Sequence, residues 1–162
     1  MPITATSNHA VTALAQACPH TTDVSQMDPF ELAALLAPLS PTDIAALPAG
    51  LAEVVIAATQ RVVNAAIARQ AAAIEAFHAA VVSELAATEV PAGVDPDRVG
   101  ASMLAPILRV APRTMLTRQR RACRLVDDLP RTFAAAWAGD LEPSRVDAIT
   151  AASNPVRSSL LV

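Results

Sequence analysis

The sequence predicts an all-α protein from three observations. Hydrophobic residues make up 53% of the chain but aromatics only 2%, so the apolar mass is mostly Ala, Val and Leu. Alanine is the best helix former, and glycine is scarce, with 4 in 162 residues; that composition favours helices. A cap residue followed by proline also recurs along the chain, as in Asp28-Pro29, Ser40-Pro41, Asp95-Pro96 and Glu142-Pro143. Proline tolerates the first helical position because the N–H it lacks has no partner there. No segment alternates polar and apolar residues as a half-buried strand would. The predicted architecture is a long central helix, short N-terminal helices, and a C-terminal helical cluster containing a helix-turn-helix-like pair.

Taken in order, residues 1–27 are rich in Thr, Ser, Asn, His and Ala, and predict a flexible N-terminal arm with a helical stretch near Val11 to Ala17. Asp28-Pro29-Phe30-Glu31 combines an N-cap, a first-turn proline and a glutamate three residues after the cap. That helix should run to Ala37, before Pro38. Ser40-Pro41-Thr42-Asp43 repeats the pattern for a second short helix that stops before Pro48. From about Leu51 to Ala87 no proline or glycine occurs, which predicts the longest helix. Ile56, Val63, Ile67, Ile74, Phe77, Val81 and Leu85 recur at threes, fours and sevens and predict its buried stripe. Two short helices cannot cover so long a rod, so it needs the C-terminal helices or a second copy of itself.

Val90 to Val94 reads as a loop. A helix starts at Asp95, and Pro106 should kink or restart it near Ala105. Pro112-Arg113-Thr114 opens a basic helix that Leu129-Pro130 closes. A short helix with Phe133 and Trp137 facing the core ends at Gly139, and a last one starts at Glu142-Pro143-Ser144 with Val146, Ile149 and Ala152 inward. The helical domain is expected over residues 28–152 and a divergent tail over 153–162.

The net charge of −3 hides an asymmetry. Residues 1–100 hold three Arg against ten acids, or −7, whereas residues 101–162 hold nine Arg against five acids, or +4. All twelve basic residues are Arg, which fits GC-rich coding bias. Arg109, Arg113, Arg118, Arg120, Arg121 and Arg124 lie within sixteen residues with no acid among them. On the predicted helix Met115, Leu116, Ala122, Cys123, Val126 and Leu129 form an apolar side. Arg113, Thr117, Arg120 and Arg124 form another, flanked by Arg118 and Arg121. Such a helix can lie against phosphates, held by Coulomb attraction and counterion release. Ser102 to Arg109, Val110-Ala111-Pro112 and the basic helix together read like a helix-turn-helix, although no glycine marks the turn. The alternative is a solvated arginine face paired with the acids of the first half. The phosphate-contact candidates are Arg113, Arg118, Arg120, Arg121 and Arg124, with Arg109 secondary.

No other motif points to chemistry. Cys18 and Cys123 form no C-x-x-C, and a disulfide framework is not expected. His9, His20 and His78 lack metal-ligand spacing, and Cys18-Pro19-His20 reads as an ordinary loop rather than a zinc site. His78 is expected at a surface or interface. G-x-S-x-G and phosphate-loop signatures are absent from the sequence. Asp95 and Asp97 suit a helix start, and Asp127 and Asp128 close the basic run. No basic signal-peptide region or uninterrupted apolar span occurs, which suggests a cytoplasmic protein without membrane, metal, cofactor or small-molecule substrate.

The order of several segments carries a resemblance. They are the Ala-rich helix ending Ala79-Ala80-Val81-Val82-Ser83-Glu84-Leu85; Leu108-Arg109-Val110-Ala111-Pro112-Arg113-Thr114; Arg120 through Thr132; and Ala138-Gly139-Asp140-Leu141-Glu142-Pro143-Ser144-Arg145-Val146-Asp147-Ala148-Ile149. Residues from about 51 to 152 resemble the N-terminal helical domain of the 13E12 repeat family of GC-rich actinobacterial proteins. That domain has no known function and commonly precedes an HNH endonuclease domain. The resemblance implies a non-catalytic helical module, because the clustered His, Asn and Cys of the nuclease segment are not in this sequence. After Ala152 the likeness stops, as in a truncated paralogue. The expected function is binding DNA or positioning a nuclease partner. The alternative is protein–protein association, including a homodimer through the long helix, or a remnant without activity.

Overall fold

A computed structural model describes residues 4–88 and 93–153, with side chains from His9 onward. Every regular element among them is a helix: α1 (Thr4–Ala17), α2 (Thr21–Val24), α3 (Pro29–Leu36), α4 (Pro41–Ala45), α5 (Ala49–Ala87), α6 (Pro96–Ile107), α7 (Pro112–Asp128), α8 (Pro130–Trp137) and α9 (Pro143–Ala152). Three starts have side-chain caps, whereas Ala111 before α7 and Glu142 before α9 make no side-chain cap bond. Asp28 accepts from the Phe30 amide at 2.7 Å. Ser40 and Asp43 exchange bonds as a capping box, at 3.2 Å and 2.8 Å. Asp95 accepts from the Asp97 amide at 3.0 Å. These bonds satisfy donors that a helix start leaves orphaned.

Contacts group the chain into two compact units. The first comprises residues 1–66 and 135–141, and the second residues 67–134 and 142–162. The sequence had suggested one helical domain over 28–152.

In the first unit the core holds Leu14, Cys18, Val24, Leu32, Val54, Val55 and Ala58. α1 packs on α3. The described part of 1–27 holds two helices, the first covering the helical stretch expected near Val11 to Ala17, and Leu14, Cys18 and Val24 join the core. The cause is a sparse i, i+4 series, Ala10, Leu14 and Cys18, buried while most residues between them are exposed. The long-helix stripe is corrected here too: Ile56 is 68% and Val63 is 44% exposed, because α5 meets this core through Val54, Val55 and Ala58. Asn64 is also buried; its Nδ2 donates to the Gly139 carbonyl at 3.0 Å. Gly139, with φ of 82°, ends α8, as expected for a glycine after a helix C-cap. Trp137, expected in the core, is 42% exposed.

In the second unit Ile74, Ala101, Ala105, Met115 and Ala122 form the core, with Leu104, Leu108, Val110 and Leu116 packed against it. Here the stripe holds in part, with Ile74 and Val81 buried, while Ile67 is exposed. α6 packs extensively on α7, and α9 also packs on α7. Pro106 does not restart α6, which runs through to Ile107. The proline sits in the last turn, where few intrahelical bonds remain to be lost. The helix ends on Arg109, whose φ is 52°. The Arg109 amide donates to the Pro106 carbonyl at 3.3 Å and the Val110 amide to the Ala105 carbonyl at 3.0 Å. That bond pair defines a Schellman motif, with arginine in the place glycine usually takes. In α9 the buried residue is Thr150, while Ile149 and Ala152, expected inward, are exposed.

α5 is the one described helix long and apolar enough to cross a membrane by length and composition, and a third of that window is buried. The loop expected over 90–94 falls largely outside the described residues, as does the tail from 154 onward.

Candidate nucleic-acid interface

All six clustered arginines belong to the second unit. α7 carries five of them on a short-looped pair with α6. Met115, Gln119, Ala122 and Leu125 are its buried residues. Leu116, Cys123, Val126 and Leu129 of the expected apolar side are only half-buried. Gln119 and Leu125 were not expected inside. Gln119 is fully buried, and its Nε2 donates to the Asp97 carbonyl at 3.1 Å.

The arginines divide into two groups. Three in the C-terminal half of α7 have partners within the unit. Arg120 Nε donates to Asp97 Oδ2 at 2.9 Å, and Arg121 Nη1 to Asp147 Oδ2 at 3.2 Å. Arg124 donates to the Ser153 carbonyl. α6 and α9 thus bring acceptors to Arg120, Arg121 and Arg124 in that half of α7, and Arg120 and Arg121 stay exposed. Arg113 and Arg118 lie in the first two turns. Both are exposed, and among the described residues neither meets a carboxylate. Arg109, in the turn before, is exposed as well.

The electrostatics follow the same division. The N-terminus of a helix is its positive end and the C-terminus its negative end. Arg109, Arg113 and Arg118 stand at the positive end of α7, whereas Asp127 and Asp128 occupy the negative end. On α7 itself, the exposed arginines outside ion pairs among the described residues are therefore those of the first two turns.

A polar cleft of about 310 Å³ lies beside the paired half, lined by His78, Asp97, Gln119, Arg120, Cys123, Arg124, Asp127 and Asp128. His78 Nε2 is 2.9 Å from Asp97 Oδ1, and Cys123 Sγ is 3.5 Å from His78 Nδ1. A carboxylate can only accept, so Nε2 donates to Asp97 and Nδ1 faces the thiol. The order of groups suits nucleophile activation, but the electrostatics oppose it. Burial, and then the negative charges of Asp127, Glu75 and Asp97, push the Cys123 thiol up to about 11. Thiolate is the nucleophile, and it is scarce here at neutral pH. The row instead ties α5, α6 and α7 together through Asp97, which also holds Arg120. His78, expected at a surface or interface, is a half-buried member of this network. No three His, Cys, Asp or Glu side chains converge as a metal site among the described residues.

Comparison with family models, curated proteins and solved structures finds no match to this chain. The two-group division of the arginines could not be read from one sequence, because the acids that capture Arg120 and Arg121 stand 23 and 26 residues away. The Cys123–His78 contact, 45 residues apart, has no local signature either.

Proposed function

We propose that the second unit, like the helical domain of the 13E12 repeat family it resembles in sequence, is a non-catalytic module, and that it binds nucleic acid through the first two turns of α7. Arg113 and Arg118 contact phosphates, and Arg109 adds to the field. Arg120, Arg121 and Arg124 serve the internal packing of α7. One observation carries this reading: two exposed guanidinium groups that meet no carboxylate among the described residues stand at the positive end of a helix whose remaining arginines are engaged. Phosphate contacts of this kind bind by counterion release.

The test is fluorescence anisotropy with a short labelled DNA duplex and paired substitutions. Arg113→Ala with Arg118→Ala should weaken binding about tenfold or more at low salt, since charged contacts contribute roughly 1.5–3 kcal/mol each before screening. Arg120→Ala with Arg121→Ala should change affinity less than about threefold. Equal losses from the two pairs contradict the assignment.

A second reading, self-association through α5, is favoured by the exposed Ile56 and Val63 in the first unit. Sedimentation equilibrium of the full chain separates it. A concentration-dependent dimer weakened by Ile56→Asp, with no nucleic-acid binding, would select this reading.

A further inference from the structure

We infer that the partner of α7 is double-stranded DNA, met through its major groove. This rests on the nucleic-acid reading above and narrows it to one class of ligand. The argument comes from how side-chain length is arranged around the open half of α7.

At about 100° per residue, Arg113, Thr117, Thr114 and Arg118 span an arc of roughly 140°, with the two threonines between the two arginines. All four are exposed. Short side chains at the centre let the helix backbone approach a surface closely. Long cationic chains at the edges reach outward to charges on either side. That profile matches a groove with a readable floor and two phosphate rims. A helix about 10–12 Å across fits the B-DNA major groove, about 12 Å wide. The major groove of double-stranded RNA is too narrow for it.

The threonines also carry chemical information. Thr117 Oγ1 donates its proton to the Arg113 carbonyl at 3.2 Å. Toward a base edge it can therefore offer only lone pairs and its methyl group. Those suit the amino groups of adenine N6 and cytosine N4, or the thymine methyl, all of which face the major groove. A single strand is recognised differently, by stacking its bases on aromatic rings. Residues 96–128, which include all of α6 and α7, contain no Phe, Trp or Tyr.

The experiment uses the full chain with three labelled probes of one sequence: a DNA duplex, its single strand and an RNA duplex, at about 50 mM salt. The DNA duplex should bind at least about tenfold tighter than either other probe. Methyl green, which occupies the major groove, should displace the chain, whereas netropsin in the minor groove should not. Thr117→Glu should abolish duplex binding, by setting a carboxylate toward the groove, without changing the helical circular dichroism. Single-stranded DNA or duplex RNA bound as tightly as duplex DNA overturns this inference, and so does displacement by netropsin. Failure to bind any of the three probes overturns the nucleic-acid reading itself.

Discussion

Gly139→Ala tests the packing of the first unit. A Cβ at this position would lie 2.5 Å from the Arg61 carbonyl oxygen and 2.7 Å from Arg61 Cγ. The carbonyl belongs to the interior of α5 and cannot swing aside as a side-chain tip could. The backbone there is left-handed, with φ of 82°, which costs an L-residue about 1–2 kcal/mol. Relieving the clash moves the α8 terminus away and stretches the buried Asn64–Gly139 hydrogen bond, now 3.0 Å. It also disturbs the neighbouring Arg61–Asp140 ion pair. A buried donor left unpaired costs about 1–3 kcal/mol. The sum is about 2–5 kcal/mol, or a fall centred on roughly 10 °C in melting temperature for a chain of this size. Thermal unfolding followed at 222 nm measures it, with Gly50→Ala as the control. Gly50 has open space around its Cβ position, so alanine there should be neutral or stabilising by up to about 1 kcal/mol. If Gly139→Ala melts within about 2 °C of the parent, the approach of α8 to α5 described here is wrong.

Two further predictions concern burial. Leu14 is fully buried in the first-unit core, so Leu14→Ala should destabilise that unit by about 2–5 kcal/mol in a denaturant titration; an unchanged midpoint would restore the mobile arm that the sequence suggested. The raised Cys123 thiol has a stability consequence of definite sign. The unfolded chain releases the proton first, at the ordinary thiol value, while the folded chain holds it to about 11. The associated stability is present below the unfolded value and is lost as pH rises toward 11, on the order of 1–2 kcal/mol after allowance for the half-open site. Denaturation midpoints of the parent and Cys123→Ala, compared from pH 8 to about 11, should converge as pH rises; parallel profiles would contradict it.

Helix starts were legible because cap and proline chemistry is local: Asp28, Ser40 and Asp95 all cap as their spacing predicts. Gly139 was legible for the same reason. The helical stretch near Val11 to Ala17 was legible, but its part in a core was not, because Ala10, Leu14 and Cys18 give only one inward residue in four. The stripe on α5 failed over Ile56 and Val63 because periodicity gives one face, while the partner surface decides which face is buried. Gln119 escaped because a glutamine among arginines reads as solvated, yet the Asp97 carbonyl gives it a buried partner. For the interface, the helix and its arginines could be read from sequence, but the pairing of each arginine depends on acids supplied by α6 and α9.

The salt dependence of duplex affinity tests the central claim most directly. If Arg109, Arg113 and Arg118 are the cations engaged, the slope of log affinity against log salt should be about −2.7, and affinity should fall about 40-fold between roughly 50 and 200 mM. Engagement of all six arginines would instead give a slope near −5 and a loss of about 2,000-fold. The steeper slope would mean that the Asp97 and Asp147 pairs open on binding, and a flat titration would mean that α7 does not bind nucleic acid.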